Sequence, residues 1–214
     1  MTPVIGLGAG GHAKVVIEIL RLMGGLEIVG LLDSRAESHG SRLLDVPVTG
    51  DDTSLESYFE RNIRHAFIGL GGVGDTQPRR RLFERVRKVG FEVVSAIHPR
   101  AWISEFATLG HGATVMAGAI INTGSRLGDN VIVNTGAFVE HDCDIGDHVH
   151  IASGACLAGT VLVQTGAHVG LGARIKQNIT IGANAIVGAG AVVVNDVPEG
   201  VTVIGVPGRI MKQT

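Results

Sequence analysis

Aromatic side chains make up only 4% of this sequence, cysteine occurs twice, and proline six times in 214 residues. Two cysteines, Cys143 and Cys156, build no disulfide framework and suit a reducing compartment. Charge of one sign is lacking too. Twenty acidic residues face eighteen basic ones, so nothing points to nucleic acid or an anionic membrane as the partner. No long apolar run is present either: Ala185–Val194 spans ten residues with two glycines, against the roughly 20 that a membrane span needs. No basic, apolar, small-residue signal follows Met1, and the expectation is a soluble cytoplasmic protein. Apolar residues nonetheless reach 45%, too many for a disordered chain, and must be mostly Val, Ile, Leu and Ala. Glycine is abundant at 32 residues, which argues against a helical bundle, since interior glycine costs about 1 kcal/mol against alanine.

The chain divides into 1–96 and 97–214 by its periodicity. In the first part Val4–Leu7, Leu26–Leu32, Ala66–Leu70 and Phe91–Ala96 read as strands. Helices are expected at His12–Met23, with Val15, Val16, Ile19 and Leu22 on one face, at Thr53–Asn62 and at Gln77–Val89. Strands alternating with helices imply a Rossmann-like parallel α/β domain.

From Ile97 the period becomes six. Seventeen consecutive sixth positions, Ile97 through Val193, are Ile, Leu or Val, and small residues such as Ala107, Ala113, Ala119, Ser125 and Cys143 stand two places earlier. Two inward residues and a corner per six residues describe a parallel β-helix of stacked coils. Fourteen of the fifteen glycines between 97 and 193 occupy two of the six phases. The later phase, three residues after the aliphatic, also holds Asn130, Asn178 and Asn184, the residue type that shares glycine's tolerance of positive φ. That phase is the corner. Gly159 alone is out of phase, which suggests a close approach to the backbone there.

This pattern resembles the left-handed β-helix acyltransferases of the hexapeptide-repeat superfamily, and Gly205-Val206-Pro207-Gly208-Arg209 is similar to their closing Gly-x-Pro-Ala-Lys/Arg segment with glycine in place of alanine. The resemblance implies left-handedness, three hexapeptides per coil and a homotrimer. The expected fold is thus a small α/β domain followed by a left-handed parallel β-helix.

In the front domain Gly6-Leu7-Gly8-Ala9-Gly10-Gly11-His12 follows a strand and opens a helix, the setting in which backbone N–H groups meet a pyrophosphate. Asp33 closes the second strand, where a carboxylate meets a ribose hydroxyl. Four strands suit one nucleotide better than a dinucleotide. Gly-Ala-Gly-Gly-His-Ala-Lys-Val-Val joined to a hexapeptide helix resembles the bacterial nucleotide-sugar N-acetyltransferases of the bacillosamine and perosamine type and the related sialic acid O-acetyltransferases. By that resemblance Gly10, Gly11, His12, Asp33, Ser34 and Gly71 line a sugar-nucleotide site. The arginine-rich stretch Arg79–Lys88 reads as a solvated helix face, with a phosphate contact from Arg79 or Arg80 as the alternative.

Glu140-His141-Asp142 puts three ionisable groups at one coil edge, with Asp142 in the corner phase and Val139 and Cys143 inward. Acetyl transfer from a thioester to an amine needs a base for the amine proton, and histidine suits neutral pH. A neighbouring carboxylate fixes its tautomer. The residues alone favour a solvated surface histidine, and it is the resemblance that assigns His141 as base and Asp142 as its partner, with Glu140 a weaker choice for that second role. It also implies that acetyl-CoA meets His150, Leu171 and Ala189, with Gly159 leaving a bare path for pantetheine. His148, in a corner phase, reads as structural. A zinc site of the γ-carbonic anhydrase kind has donors in His111, His141, His148, His150 and His168, but the front domain and the closing segment argue against it, so no metal is expected. The implied reaction is acetylation of a nucleotide-linked amino sugar, a 4-amino-4,6-dideoxy hexose on UDP or GDP. A sugar O-acetyltransferase and a non-catalytic nucleotide-sugar binder are the alternatives.

Overall fold

A computed structural model describes residues 1–211, which form two units. The first comprises Met1–Gly71 and Pro78–Pro99, the second Gly72–Gln77 and the chain from Arg100 onward. The segment 72–77 thus belongs to the second unit although it lies within the sequence of the first.

In the first unit β1 (Thr2–Leu7), β2 (Leu26–Leu32), β3 (Arg42–Leu43), β4 (Val46–Gly50), β5 (His65–Ile68) and β6 (Glu92–Val93) form one sheet in the order β3-β4-β2-β1-β5-β6. All neighbours are parallel except β3 and β4. That antiparallel hairpin, turning through Leu44 and Asp45 at positive φ, has no counterpart in the sequence reading. Continuous aliphatic runs such as Val4-Ile5 and Leu31-Leu32 suit strands covered on both faces, and these four residues are at most 1% exposed. Helix α1 (Gly11–Met23) buries Ala13, Val16, Ile17, Ile19 and Leu20. Of the expected face Val16 and Ile19 are buried, whereas Val15 and Leu22 are corrected to 37% and 54% exposed. The buried stripe is 13-16-17-19-20, rotated from the expected one, and α1 carries enough aliphatics on both sides for either choice to satisfy the period. The expected helix at Thr53–Asn62 is a 3-10 turn, Asp52–Ser54, continued by α2 (Leu55–Glu60), with the Asp51 carboxylate capping the N–H of Thr53. Helix α3 (Gln77–Val89) has the expected bounds.

The second unit is a parallel β-helix of two-residue strands. Strands pair at an offset of 18 residues, as Ile120 with Phe138 and Phe138 with Cys156, so three hexapeptides make one coil. All fourteen aliphatics of the sixth-position series from Val115 to Val193 are buried, at 4% exposure or less. Every corner residue from Gly112 to Gly190 has φ between 54° and 73°, including Asn130, Asp142, His148 and Thr160. Thr160 is the odd member, because a β-branched residue rarely adopts this conformation. Its hydroxyl donates to Asn178 one coil on, and its N–H donates to the carbonyl of His141 at 2.9 Å. Segment 72–77 packs on the coils: Thr76 Oγ1 donates to the Gly166 carbonyl at 2.8 Å and the Gln77 amide to Asn184 Oδ1 at 3.1 Å. Among the described residues no helix is long and apolar enough to cross a membrane.

Candidate active site

In the first unit the C-terminal ends of β1, β2 and β5 open on a cleft of about 630 Å³. Gly10, Gly11, His12, Asp33, Ser34 and Gly71 all line it. The sheet order changes direction around β1, and such a switch point is where open α/β sheets take ligands. The glycines of the loop differ in purpose. Gly8, at φ +101°, needs glycine for its backbone. Gly10 and Gly11 need it neither for conformation nor for internal packing, since an added Cβ would meet no described atom within 4 Å. Their bareness keeps the N-terminus of α1 open to the cleft, and no side chain caps that helix.

Asp33 behaves differently from the sequence reading. Its Oδ1 accepts from the Arg35 N–H and Nε, both at 2.9 Å, and its Oδ2 from the Ala9 N–H at 2.6 Å and Arg35 Nη2 at 3.0 Å. The Arg35 guanidinium beside it, against the opposing effect of burial, holds the carboxyl down at about 2. Four donors fill the carboxylate's lone pairs, so Asp33 braces the glycine loop and Arg35, and a ribose hydroxyl would have to displace one of them. Arg79 corrects a second expectation. It is 2% exposed and donates through Nη1 to the carbonyls of Ile68 at 3.1 Å and Leu70 at 2.6 Å, shaping the wall at Gly69–Gly71. Neither Arg79 nor Arg80 lines the cleft; Arg80 pairs with Glu84, Arg85 with Asp52, and Arg81 and Arg85 are the arginines of this helix that line it, beside Pro78 and Leu82.

In the second unit His141 projects from a coil corner with its side chain 56% exposed. Its Nδ1 lies 2.9 Å from Asp142 Oδ2. With the carboxylate as acceptor, Nδ1 carries the proton and Nε2 presents its lone pair. A Cβ on Gly159 would stand 2.5 Å from Nε2, so the out-of-phase glycine makes room for the imidazole itself. The carboxylate of Glu140 is engaged by the Asn122 amide at 2.8 Å. Cys143 is sealed in the coil, where burial pushes its thiol up to about 11. His148 is a corner residue 3.0 Å from Asn130 Nδ2.

His150, Leu171 and Ala189 meet along a separate groove of about 340 Å³ on the β-helix. His150 leaves the coil interior as its phase requires, yet it is 2% exposed, because segment 72–77 covers it and its Nδ1 lies 2.9 Å from the Gly72 carbonyl. Val73 and Gly74 from that segment join the groove walls, and the six-residue period carries no trace of them; His168, which the 18-residue offset sets beside His150, joins them. Burial lowers the pKa of His168. Among the described residues no three His, Cys, Asp or Glu converge as metal ligands.

A family model for the PglD N-terminal domain matches residues 4–86, and one for the bacterial transferase hexapeptide (six repeats) matches residues 124–159. PerB from Caulobacter crescentus, solved with CoA and GDP-perosamine, is 44% identical, with a TM-score of 0.91 over 98% of this chain and 97% of that one. The acetyltransferase domain of PglB from Neisseria gonorrhoeae FA1090, solved with acetyl coenzyme A, is 37% identical, with a TM-score of 0.90 over 98% and 99% of the two chains.

The chain belongs to the hexapeptide-repeat sugar N-acetyltransferases.

The UDP-N-acetylbacillosamine N-acetyltransferase of Bacillus subtilis (strain 168) is 38% identical over 112 residues, which span 52% of this chain and half the length of that protein. Membership makes the β-helix of this N-acetyltransferase left-handed. The residues that sequence reasoning missed in it are Arg35, Arg81 and segment 72–77. An acid followed two residues later by arginine, Asp33-Ser34-Arg35, was a signal for the first; the other two depend on packing between distant parts of the chain.

Proposed function

We propose that this N-acetyltransferase moves the acetyl group of acetyl-CoA to the amine of a nucleotide-linked 4-amino-4,6-dideoxy sugar, with a GDP-perosamine type of substrate preferred. The observation that carries the reading is the full-length likeness to PerB together with an exposed His–Asp pair whose Nε2 is free to take a proton. The first unit holds the nucleotide at the bare N-terminus of α1, and the groove with His150, Leu171 and Ala189 holds the coenzyme. The neutral amine attacks the thioester carbonyl. His141 Nε2 takes the amine proton as the N–C bond forms, Asp142 steadies the imidazolium through Nδ1–H, and a backbone N–H meets the oxyanion. The C–S bond then breaks, and the leaving thiolate takes the proton from the His141 imidazolium and departs as CoA thiol, which restores the base.

The working unit in this reading is a homotrimer in the cytoplasm, with acetyl-CoA between neighbouring β-helices. Both cysteines being free supports the compartment. One coil edge supports the close neighbour: it is glycine at 118, 136, 154, 172 and 190, and at the last four no described atom lies within 4 Å of an added Cβ. Sedimentation at three times the chain mass is the expected result. The deciding assay follows thiol release from acetyl-CoA with UDP-, GDP- and dTDP-linked amino sugars. Release with a GDP-linked amino sugar is expected. Nucleotide binding without release would make the chain a binding protein, and release with a free sialic acid would make it an O-acetyltransferase.

A further inference from the structure

We infer that Arg35, aimed by Asp33, is the residue that reads the nucleobase, and that the edge it fits carries two adjacent hydrogen-bond acceptors, as the O6/N7 edge of guanine does. The inference rests on the reading of this cleft as a nucleotide site. Arg35 sits three residues beyond β2, on the cleft wall, with half of its side chain exposed. Its Nε and Nη2 grip Asp33 in a two-pronged pair. A guanidinium has five N–H donors in one plane, so three remain, on the Nη1–Nη2 side, where two can point in parallel. That edge matches two acceptors side by side. Guanine offers O6 and N7; adenine sets an N6 donor beside N7, and uracil places its N3–H donor between its two carbonyls.

The pair carries no net charge, which favours a neutral base edge over phosphate. Phosphate already has the open helix N-terminus at Gly10 and Gly11. The reader is also fixed before any ligand arrives. The Arg35 carbonyl accepts from the Ser38 N–H at 3.0 Å and its hydroxyl at 2.7 Å, and His39 Nε2 lies 2.7 Å from the Asp33 carbonyl. Little side-chain freedom is left to lose on binding. The same Asp33 holds the Ala9 N–H, so base reader and phosphate loop share one brace.

Calorimetric titration of the full chain with GDP, IDP, 7-deaza-GDP, ADP and UDP tests this without altering the protein. GDP and IDP, which share O6 and N7, should bind alike, and about tenfold or more tighter than ADP or UDP. Loss of N7 in 7-deaza-GDP should weaken binding by about tenfold. Arg35→Gln and Arg35→Lys should both flatten the preference, since lysine keeps the charge but not the two-pronged geometry. Equal affinity for GDP and 7-deaza-GDP, or a GDP preference that survives in Arg35→Gln, overturns the inference. Failure of every nucleoside diphosphate to bind the wild type overturns instead the nucleotide reading beneath it.

Discussion

The two units build their clefts and corners in opposite ways. In the α/β unit, Gly10 and Gly11 leave out side chains that neither backbone nor packing forbids, and the space this opens lies before a helix N-terminus. In the β-helix, Asp142 adds a side chain at a corner that eight coil positions give to glycine, and His141 stands beside it. One region acts through its backbone, the other through a side chain mounted on a corner whose positive φ favours Gly, Asn and Asp. The contrast predicts that added atoms will weaken ligand binding in the first, and that in the second either loss of the His–Asp pair or crowding of its imidazole will lower turnover.

The largest effect is expected at His141. His141→Asn should lower kcat by about 10²–10⁴ with an unchanged circular dichroism spectrum, and near-wild-type turnover would break the comparison at its centre. Gly159→Ala reverses the operation in the same region. The new methyl group would displace the imidazole, and a loss of about 10² in kcat without a matching loss in acetyl-CoA affinity is expected. Asp142→Asn keeps the corner, because asparagine already serves at 130, 178 and 184 with the same φ sign, so the fold should be retained and turnover should fall by about tenfold. Gly11→Ala tests the front unit. Alanine favours a helix, so thermal stability should hold or rise by up to about 1 kcal/mol while the KM for the sugar nucleotide rises several-fold. A KM that does not move would mean that the bare loop meets no ligand. The smallest effect concerns acid. Asp33 has its folded pKa lowered from 3.8 to about 2, so its contribution to stability is full above 3.8 and is lost as the pH falls toward 2. Unfolding midpoints of Asp33→Asn should therefore converge with those of the wild type at the acid end and separate above it.

How much could be read in advance follows the same division. The coil register was legible because each hexapeptide repeats one local geometry: an aliphatic that points in and a corner with positive φ, at Gly154 as at Asn178. Local rules applied many times reinforce one another. The α/β unit offers each element once. Its strand and helix order was legible, and the residues expected at a nucleotide site do line one cleft. The face of α1, the β3–β4 hairpin and the burial of Arg79 were not, since each depends on contacts that sequence spacing does not encode. Asp33 shows the limit most directly. Its position at the end of β2 was readable, but whether its oxygens were free depended on Arg35 and on Ala9, 24 residues away.

The corners at 124, 142, 160 and 178 follow one another at 18-residue intervals and share one backbone conformation. They are interchangeable mounts on a ruler whose divisions are the spacing between paired strands, about 4.8 Å. Moving a His–Asp dipeptide from 141–142 to 159–160, with glycine replacing Gln177 to give the imidazole the room that Gly159 gives it now, would carry a general base along the β-helix axis by one division and leave the hydrogen-bond ladder as it is. A solenoid of this kind separates the position of a reactive group from the identity of the fold, so catalytic reach can be adjusted in fixed steps by point substitution alone.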